Sequence, residues 1–200
     1  MDRNIHPVFD RILTRDDKEK LLNQHAIVIW MTGLSGSGKT TLASCIALEL
    51  NKLGYLTQIL DGDNIRTGIN NNLGFSEADR FENIRRISEV SKLFLDCGIV
   101  CINSFISPTN DIRHMAMNII GKENYLEVFV NASLEVCEKR DVKGLYKKAR
   151  NGEIKNFTGI DSPFQIPDHP SIEIDTATLT IDESVEKLLN RILPIIKYKK

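Results

Sequence analysis

Residues 26–40 read Ala26-Ile27-Val28-Ile29-Trp30-Met31-Thr32-Gly33-Leu34-Ser35-Gly36-Ser37-Gly38-Lys39-Thr40: an uncharged apolar run, a glycine- and serine-rich turn, then a lysine and a hydroxyl. The run 26–31 has the length and composition of a buried strand. Gly33 to Thr40 matches G-x-x-x-x-G-K-[ST] in full, and the pattern after it is helical, which is the context that gives the motif its meaning. Glycines let the backbone curl until its N–H groups point inward at phosphate oxygens, and the helix N-terminus adds partial positive charge. Lys39 supplies a point charge for the β- and γ-phosphates of a nucleotide, the Thr40 hydroxyl suits Mg²⁺, and Thr41 extends the cradle. ATP and Mg²⁺ are the expected cofactors.

Outward from this turn, short apolar runs alternate with helical patterns. Leu42, Ile46, Leu50 and Leu53 are spaced as one helix face over 40–53, and Gly54 stops it. Residues 55–60 predict a second strand ending at Asp61. Ser76 and Asp79 open a helix with Ile84, Ile87, Val90 and Phe94 on one face, which Gly98 closes. Strands are predicted at 99–102, 125–130 and 172–174. A weaker helix runs to about Ile120, a short one starts at Ser133, and a last one is capped by Thr180 and Glu183. Strands alternating with helices predict a five-stranded parallel sheet with helices on both faces, with ligands beyond the carboxyl ends of the strands. Residues 1–25 read as an N-terminal extension in which Thr14 and Asp17 cap a short helix carrying Leu21 and Leu22. Residues 26–200 read as a single domain, and 140–170 is long enough for a lid.

The chain has 200 residues and a formal net charge of −1, so it lacks a basic field for long nucleic acids. Lys197, Lys199 and Lys200 at the tail are too few to change this. No apolar run nears the ~18 residues that span a membrane. Residues 1–10 lack a signal-peptide pattern. Cys45, Cys97, Cys101 and Cys137 form no CxxC, which predicts free, largely buried thiols and a cytoplasmic location rather than zinc.

Absences narrow the class. Asn51-Lys52 is followed by Leu53-Gly54, so the guanine signature is missing there. The third strand ends in Asn103-Ser104, not in the acid of motor ATPases. Acids follow the second strand instead, in Asp61-Gly62-Asp63-Asn64, where small-molecule kinases commonly keep acceptor-side carboxylates. Arg66, Arg80 and Asn83, with Phe75 nearby, suit an anionic ligand that carries a flat ring. Arg85 and Arg86 read equally well as a solvated face. Residues 139–150 carry Lys139, Arg140, Lys143, Lys147, Lys148 and Arg150 against Asp141 alone, which fits a lid over polyanions. Arg140, Gly144 and Lys147 are expected along one helical face, with Lys143 at its edge.

Six stretches resemble the adenylyl-sulfate kinase family: GLSGSGKTT at 33–41, LDGDNIR at 60–66, LGFSEADRFENIRR at 73–86, SFISP at 104–108, VCEKRDVKGLYKKAR at 136–150 and GEIKNFTGID at 152–161. The resemblance runs from about residue 20 to the end. It implies a P-loop nucleoside-kinase-like three-layer α/β sandwich with a mobile lid. The implied activity is transfer of the γ-phosphoryl group of ATP to the 3′-hydroxyl of adenylyl sulfate. It further implies that Asp63 orients the acceptor hydroxyl and Asp61 assists Mg²⁺. Arg66 and Arg80 hold the phosphosulfate, Phe75 and Phe157 sandwich the acceptor adenine, and Asn83 with the Ile106 backbone fixes its polar edges. Lys143 approaches the anions from the lid, and Arg140 lies over the ATP adenine. Ser107 matches a serine often assigned as carrying phosphate in turnover. In-line transfer needs no such intermediate, so a structural role stands beside the catalytic one. A homodimer and association with a sulfate adenylyltransferase are also implied.

The chain departs from the family pattern at Thr67, where histidine is frequent, and at Thr109-Asn110, where an aromatic-basic pair is common. Thr40 stands for the commoner serine and keeps the hydroxyl. A kinase for another small acceptor and a nucleotide-binding subunit without turnover are the competing readings.

Overall fold

The computed structural model describes residues 4, 6, 8 and 11–198. Lys199 and Lys200, and most of the stretch tested for a signal peptide, lie outside the described residues. In chain order the elements are α1 (Arg15–Leu22), β1 (Val28–Thr32), α2 (Lys39–Lys52), β2 (Thr57–Asp61), α3 (Gly62–Thr67), α4 (Glu77–Asp96), β3 (Val100–Ser104), α5 (Asn110–Ile120), β4 (Tyr125–Asn131), α6 (Leu134–Arg140), α7 (Leu145–Arg150), β5 (Ile172–Asp175) and α8 (Ile181–Ile196). The strands lie in the order β2-β3-β1-β4-β5, and every pairing is parallel. From β1 the chain crosses to β2, returns through β3, and then moves to the other side through β4. The P-loop therefore leaves β1 at the point where the direction of winding reverses, the expected place for a ligand crevice.

Burial on both faces explains the uninterrupted apolar strands. Ile27, Ile29 and Met31 pack with Leu42, Ile46 and Leu50 of α2 and Leu188 and Ile192 of α8. Val28 and Trp30 point the other way, into Ile84 and Ile87 of α4 and Ile112 and Ala116 of α5. Each fully buried Leu or Ile here contributes about 1.5–3 kcal/mol relative to exposure. The helices end where their caps dictate. Thr14–Asp17 and Thr180–Glu183 form complete capping boxes, and the Ser76 hydroxyl accepts from the Asp79 N–H.

From Arg15 onward, the segment expected as an extension is bonded into the floor of the domain. Glu19 and Gln24 are buried. The Arg15 guanidinium donates to Glu19, to Asn124 Oδ1 and to the Ala26 carbonyl. Gln24 exchanges hydrogen bonds with the Leu56 backbone and donates to the Gly98 carbonyl. Leu21 of the predicted helix, by contrast, is exposed.

After β2, Asp61 accepts from the Asp63 N–H and starts the six-residue α3. One local expectation needs correction. The basic stretch 139–150 is not one helix. α6 ends at Arg140, and the Asp141 carboxylate turns to accept the Tyr146 and Lys147 N–H groups, with Gly144 as the N-cap of α7. An aspartate able to satisfy the orphan donors of a new helix, followed by a glycine in left-handed conformation, breaks the old helix. Arg140, Gly144 and Lys147 therefore do not share a helical face. All four cysteines are free, but Cys97 is exposed and Cys45 half-buried, so only Cys101 and Cys137 fit the buried expectation. Among the described residues no helix is long and apolar enough to cross a membrane.

Candidate active site

The loop Gly33–Thr40 joins β1 to α2 as its sequence requires. A Cβ on Gly33 would stand 2.4 Å from the Val130 carbonyl oxygen, so a side chain there would push the loop off β4. Gly38, at φ 102, is the N-cap of α2 in a left-handed conformation that other residues rarely adopt. Lys39 folds back over the loop. Its buried Nζ donates to the Gly33 and Leu34 carbonyls at 3.0 and 2.8 Å. Burial pushes its pKa down to about 8, a shift opposed by Cys137, Asp61 and Asp63 and reinforced by Lys143.

The cleft beyond the loop has a volume of about 580 Å³. One side is formed by the loop from Ser35 to Thr41, with Gly36, Gly38, Lys39 and Thr40 facing in. Gly33, Leu34 and Ser37 shape the loop from behind, and Ser37 Oγ is buried without a hydrogen-bond partner. The other side carries Asp61, Asp63, Arg66, Phe75, Arg80 and Asn83. Ile106 and Ser107 form part of the wall between them, and Arg140 and Lys143 come from the segment after α6.

Three side-chain oxygens beside the loop are of the kind that bind a metal. Thr40 Oγ1 donates to Asp61 Oδ2 at 2.8 Å and lies 3.4 Å from Ser104 Oγ. Two hydroxyls and a carboxylate beside a phosphate cradle fit a hard cation that keeps several waters, such as Mg²⁺. Asn103, at the position where motor ATPases have an acid, turns into the core and donates to Ser91 Oγ.

The acceptor side gathers positive charge. The Arg66 guanidinium stacks 4.4 Å over the Phe75 ring and donates to the Leu73 and Gly74 carbonyls. Arg80 donates to the Phe75 and Asn156 carbonyls and to Thr158 Oγ1. The Arg80 pKa is lowered by burial first and by the Arg66 charge next. Two guanidiniums close enough to act on each other in a half-buried cleft suit a shared anion. Asp63 pairs with Lys143. Asn83 is buried and accepts from Asn70 Nδ2 through its side-chain oxygen. Arg85 and Arg86 pair with Glu82 and do not line the cleft.

Phe157 does not face Phe75 across the cleft in this arrangement. Its ring meets Tyr146 edge-on at 5.0 Å, in a small cluster with Ala132 and Cys137. Sequence reasoning missed two groups that hold the loop. Tyr146 OH donates to the Ser35 carbonyl at 2.9 Å. Thr176 Oγ1 donates to the Ser37 carbonyl at 2.8 Å and accepts from Arg140, which also bonds the Gly36 and Thr176 carbonyls. Arg140 is thus fixed at the rim of the loop.

Ser107 is 2% exposed, at φ 38. Its hydroxyl accepts from Trp30 Nε1 at 3.0 Å, and its carbonyl accepts from Arg113. A buried hydroxyl already engaged by the Trp30 indole is poorly placed to receive a phosphoryl group. Ser107→Ala is expected to keep kcat within a few-fold. Because it leaves the buried indole N–H unpaired, it should lower stability by about 1–3 kcal/mol. Denaturant unfolding and initial rates on the same preparation check both halves, and loss of turnover beyond ~100-fold in a folded variant would return Ser107 to the catalytic group.

A parallel sheet, a P-loop at its switch point and an acid-and-arginine wall across one cleft define a P-loop phosphotransferase of the small-molecule kinase class. A sequence model described as "Adenylylsulphate kinase" matches residues 25–175, and the chain belongs to the adenylyl-sulfate kinase family. It is 65% identical to an adenylyl-sulfate kinase of Bacteroides thetaiotaomicron over 196 residues, 98% of each chain. It is 54% identical over 179 residues to that of Clostridium kluyveri, covering 90% of this chain and 89% of the relative. Among solved structures, the Mycobacterium tuberculosis APS kinase in complex with AMPPNP and APS matches with a TM-score of 0.82 and 43% identity, over 84% of this chain and 98% of the other.

Proposed function

We propose that the chain transfers the γ-phosphoryl group of ATP to the 3′-hydroxyl of adenylyl sulfate, giving ADP and 3′-phosphoadenylyl sulfate. The observation that carries this reading is the pairing of two anion-binding walls across one cleft. The loop with Lys39 forms one, and Arg66 and Arg80 beside Asp63 form the other. Family membership supports the choice of acceptor.

Backbone N–H groups of 33–41 and Lys39 hold the phosphates of ATP, and Arg140 covers the outer rim of that loop. Thr40, Asp61 and Ser104 would hold Mg²⁺. Magnesium, when bound, supplies positive charge to the β- and γ-phosphate oxygens. Arg66 and Arg80 hold the phosphosulfate, with Phe75 against the acceptor's ring and Asn83 and the Ile106 backbone at its polar edges. In the structure the arginines bond backbone carbonyls and Asp63 bonds Lys143. Acceptor binding exchanges these for contacts with the ligand. Phe157 must turn away from Tyr146 to reach the acceptor, which is the motion that a lid over 140–170 would supply. Asp63 then accepts the hydrogen bond of the 3′-hydroxyl. The hydroxyl oxygen forms the new bond to the γ-phosphorus, the bond to the β–γ bridging oxygen breaks, and the hydroxyl proton passes to Asp63. Lys143, released from Asp63, is free to neutralise charge on the moving phosphoryl group. Ser107 shapes the wall and takes no phosphate. We further propose, on the sequence resemblance, that the chain forms a homodimer, associates with a sulfate adenylyltransferase and works in the cytoplasm.

The test is ADP formation by purified protein with Mg-ATP, comparing adenylyl sulfate with AMP. Turnover that requires adenylyl sulfate supports the reading. Equal or better use of AMP, gluconate or shikimate defeats it.

A further inference from the structure

Arg113, in the first turn of α5, is 2% exposed and absent from the cleft lining. It sits where two chain segments cross. One guanidinium nitrogen donates to the Ser107 carbonyl at 2.7 Å. The other donates to the Gln165 carbonyl at 2.8 Å and to Asn110 Oδ1. The group lies over the Phe164 ring, 5.9 Å from its centroid. The same two segments are stitched around it. The Gln165 N–H donates to the Pro108 carbonyl at 2.8 Å, and Gln165 Oε1 accepts the Asn110 N–H at 2.7 Å. Asn110 Nδ2 also donates to Asp168.

Stability is a weak explanation for a cation in this place. Its carboxylate neighbour, Glu127, stands 3.4 Å from Nε, and Glu127 Oε1 and the neighbouring Tyr125 hydroxyl are buried without hydrogen bonds. A buried ion pair of such geometry need not repay its desolvation. The planar five-donor fork does what no apolar residue or lysine does: it fixes two carbonyls from distant segments at once. One of these is Ser107, a non-glycine residue in left-handed conformation. Two further donors hold the same turn from within, Trp30 Nε1 on the Ser107 hydroxyl and Thr32 Oγ1 on the Ile106 carbonyl.

We propose that Arg113 is a positioning residue for the acceptor: through the Ser107 and Gln165 carbonyls it sets the 106–108 wall of the cleft and registers the return limb of the 140–170 segment against it. The inference rests on the reading that adenylyl sulfate occupies the side of the cleft lined by Ile106 and Ser107. The phosphate loop makes no contact with Arg113, so the effect should be confined to the acceptor.

Arg113→Lys keeps the charge beside Glu127 and removes the fork. Asn110→Ala removes a more exposed member of the same crossing and leaves Arg113 in place. Steady-state kinetics and thermal unfolding on the full chain should give a KM for adenylyl sulfate raised by ~10-fold in Arg113→Lys and ~3-fold in Asn110→Ala, with the KM for ATP changed less than ~2-fold in both. A lowered Tm with both KM values at wild type, or equal rises in both, overturns the proposal. If Arg113→Lys does not fold, Asn110→Ala decides alone, and an unaltered acceptor KM there is the negative result. Wild-type protein that ignores adenylyl sulfate removes the functional reading and this inference together. Wild-type turnover with unaltered variants removes only this inference.

Discussion

Asp63→Asn is expected to lower kcat by ~10²–10⁴-fold, the usual worth of a group that orients and deprotonates a nucleophile, while the KM for ATP stays near wild type. Asparagine keeps the shape of the side chain and can still point at a hydroxyl, but it accepts no proton. The backbone role of the residue survives, because the bond that starts α3 runs from the Asp63 N–H to Asp61 Oδ1. Stability should hardly change. The Asp63–Lys143 pair is well exposed, with side-chain exposures of 70% and 58%, and such pairs are worth little. The prediction is therefore a separation: a large fall in turnover, a Tm close to wild type and an undisturbed ATP site. Single-turnover rates and thermal unfolding on one preparation read all three. A variant that turns over within ~3-fold of wild type assigns proton removal to water and leaves Asp63 only a binding role.

The parts of this molecule that were legible in its sequence are those in which the requirement is local. Gly33 and Gly38 are needed by the backbone itself, and the caps at Thr14, Ser76 and Thr180 are settled within four residues. The core faces of α2, α4 and α8 follow from helical spacing for the same reason. The continuous basic helix at 139–150 failed because a cap competed with the charge pattern: Asp141 serves the N–H groups of Tyr146 and Lys147. The missed residues act at long range. Thr176 meets Ser37 across 139 positions and Tyr146 meets Ser35 across 111, and no spacing in a single sequence announces such contacts. Arg113 is hidden for a further reason, since a lone arginine in an apolar helix looks like a solvated edge until its acceptors are found to be carbonyls. Phe157 belongs to a third kind. Its residue type is readable as an aromatic platform, but its direction depends on whether Tyr146 or a ligand offers the better contact.

Lys39→Ala should abolish productive ATP use, lowering kcat/KM for ATP by at least ~10²–10³-fold, as expected when a preorganised donor to developing charge is lost. The wild-type protein carries its own control in pH. Burial disfavours the charged form of Lys39 and pushes its pKa down to about 8. Phosphate oxygens favour that charged form, so ATP binds the protonated lysine and raises its pKa. Below about pH 8 the site is already protonated, and affinity should be flat with respect to this group. Above it, binding must take up a proton, and affinity should weaken, approaching ~10-fold per pH unit until the pKa of the complex is reached. Asp61, Asp63, Lys143 and Cys137 are the charged or titratable groups that act on Lys39. Of these, the Cys137 thiol is pushed upward by burial, away from this inflection. Titration of a non-hydrolysable ATP analogue from pH 6.5 to 9.5 should bend near pH 8 in the wild type, while Lys39→Ala binds weakly with no bend there. The assignment of Lys39 to the β- and γ-phosphates would not survive a wild-type profile that stays level across that range, nor an alanine variant that binds the analogue as tightly as wild type.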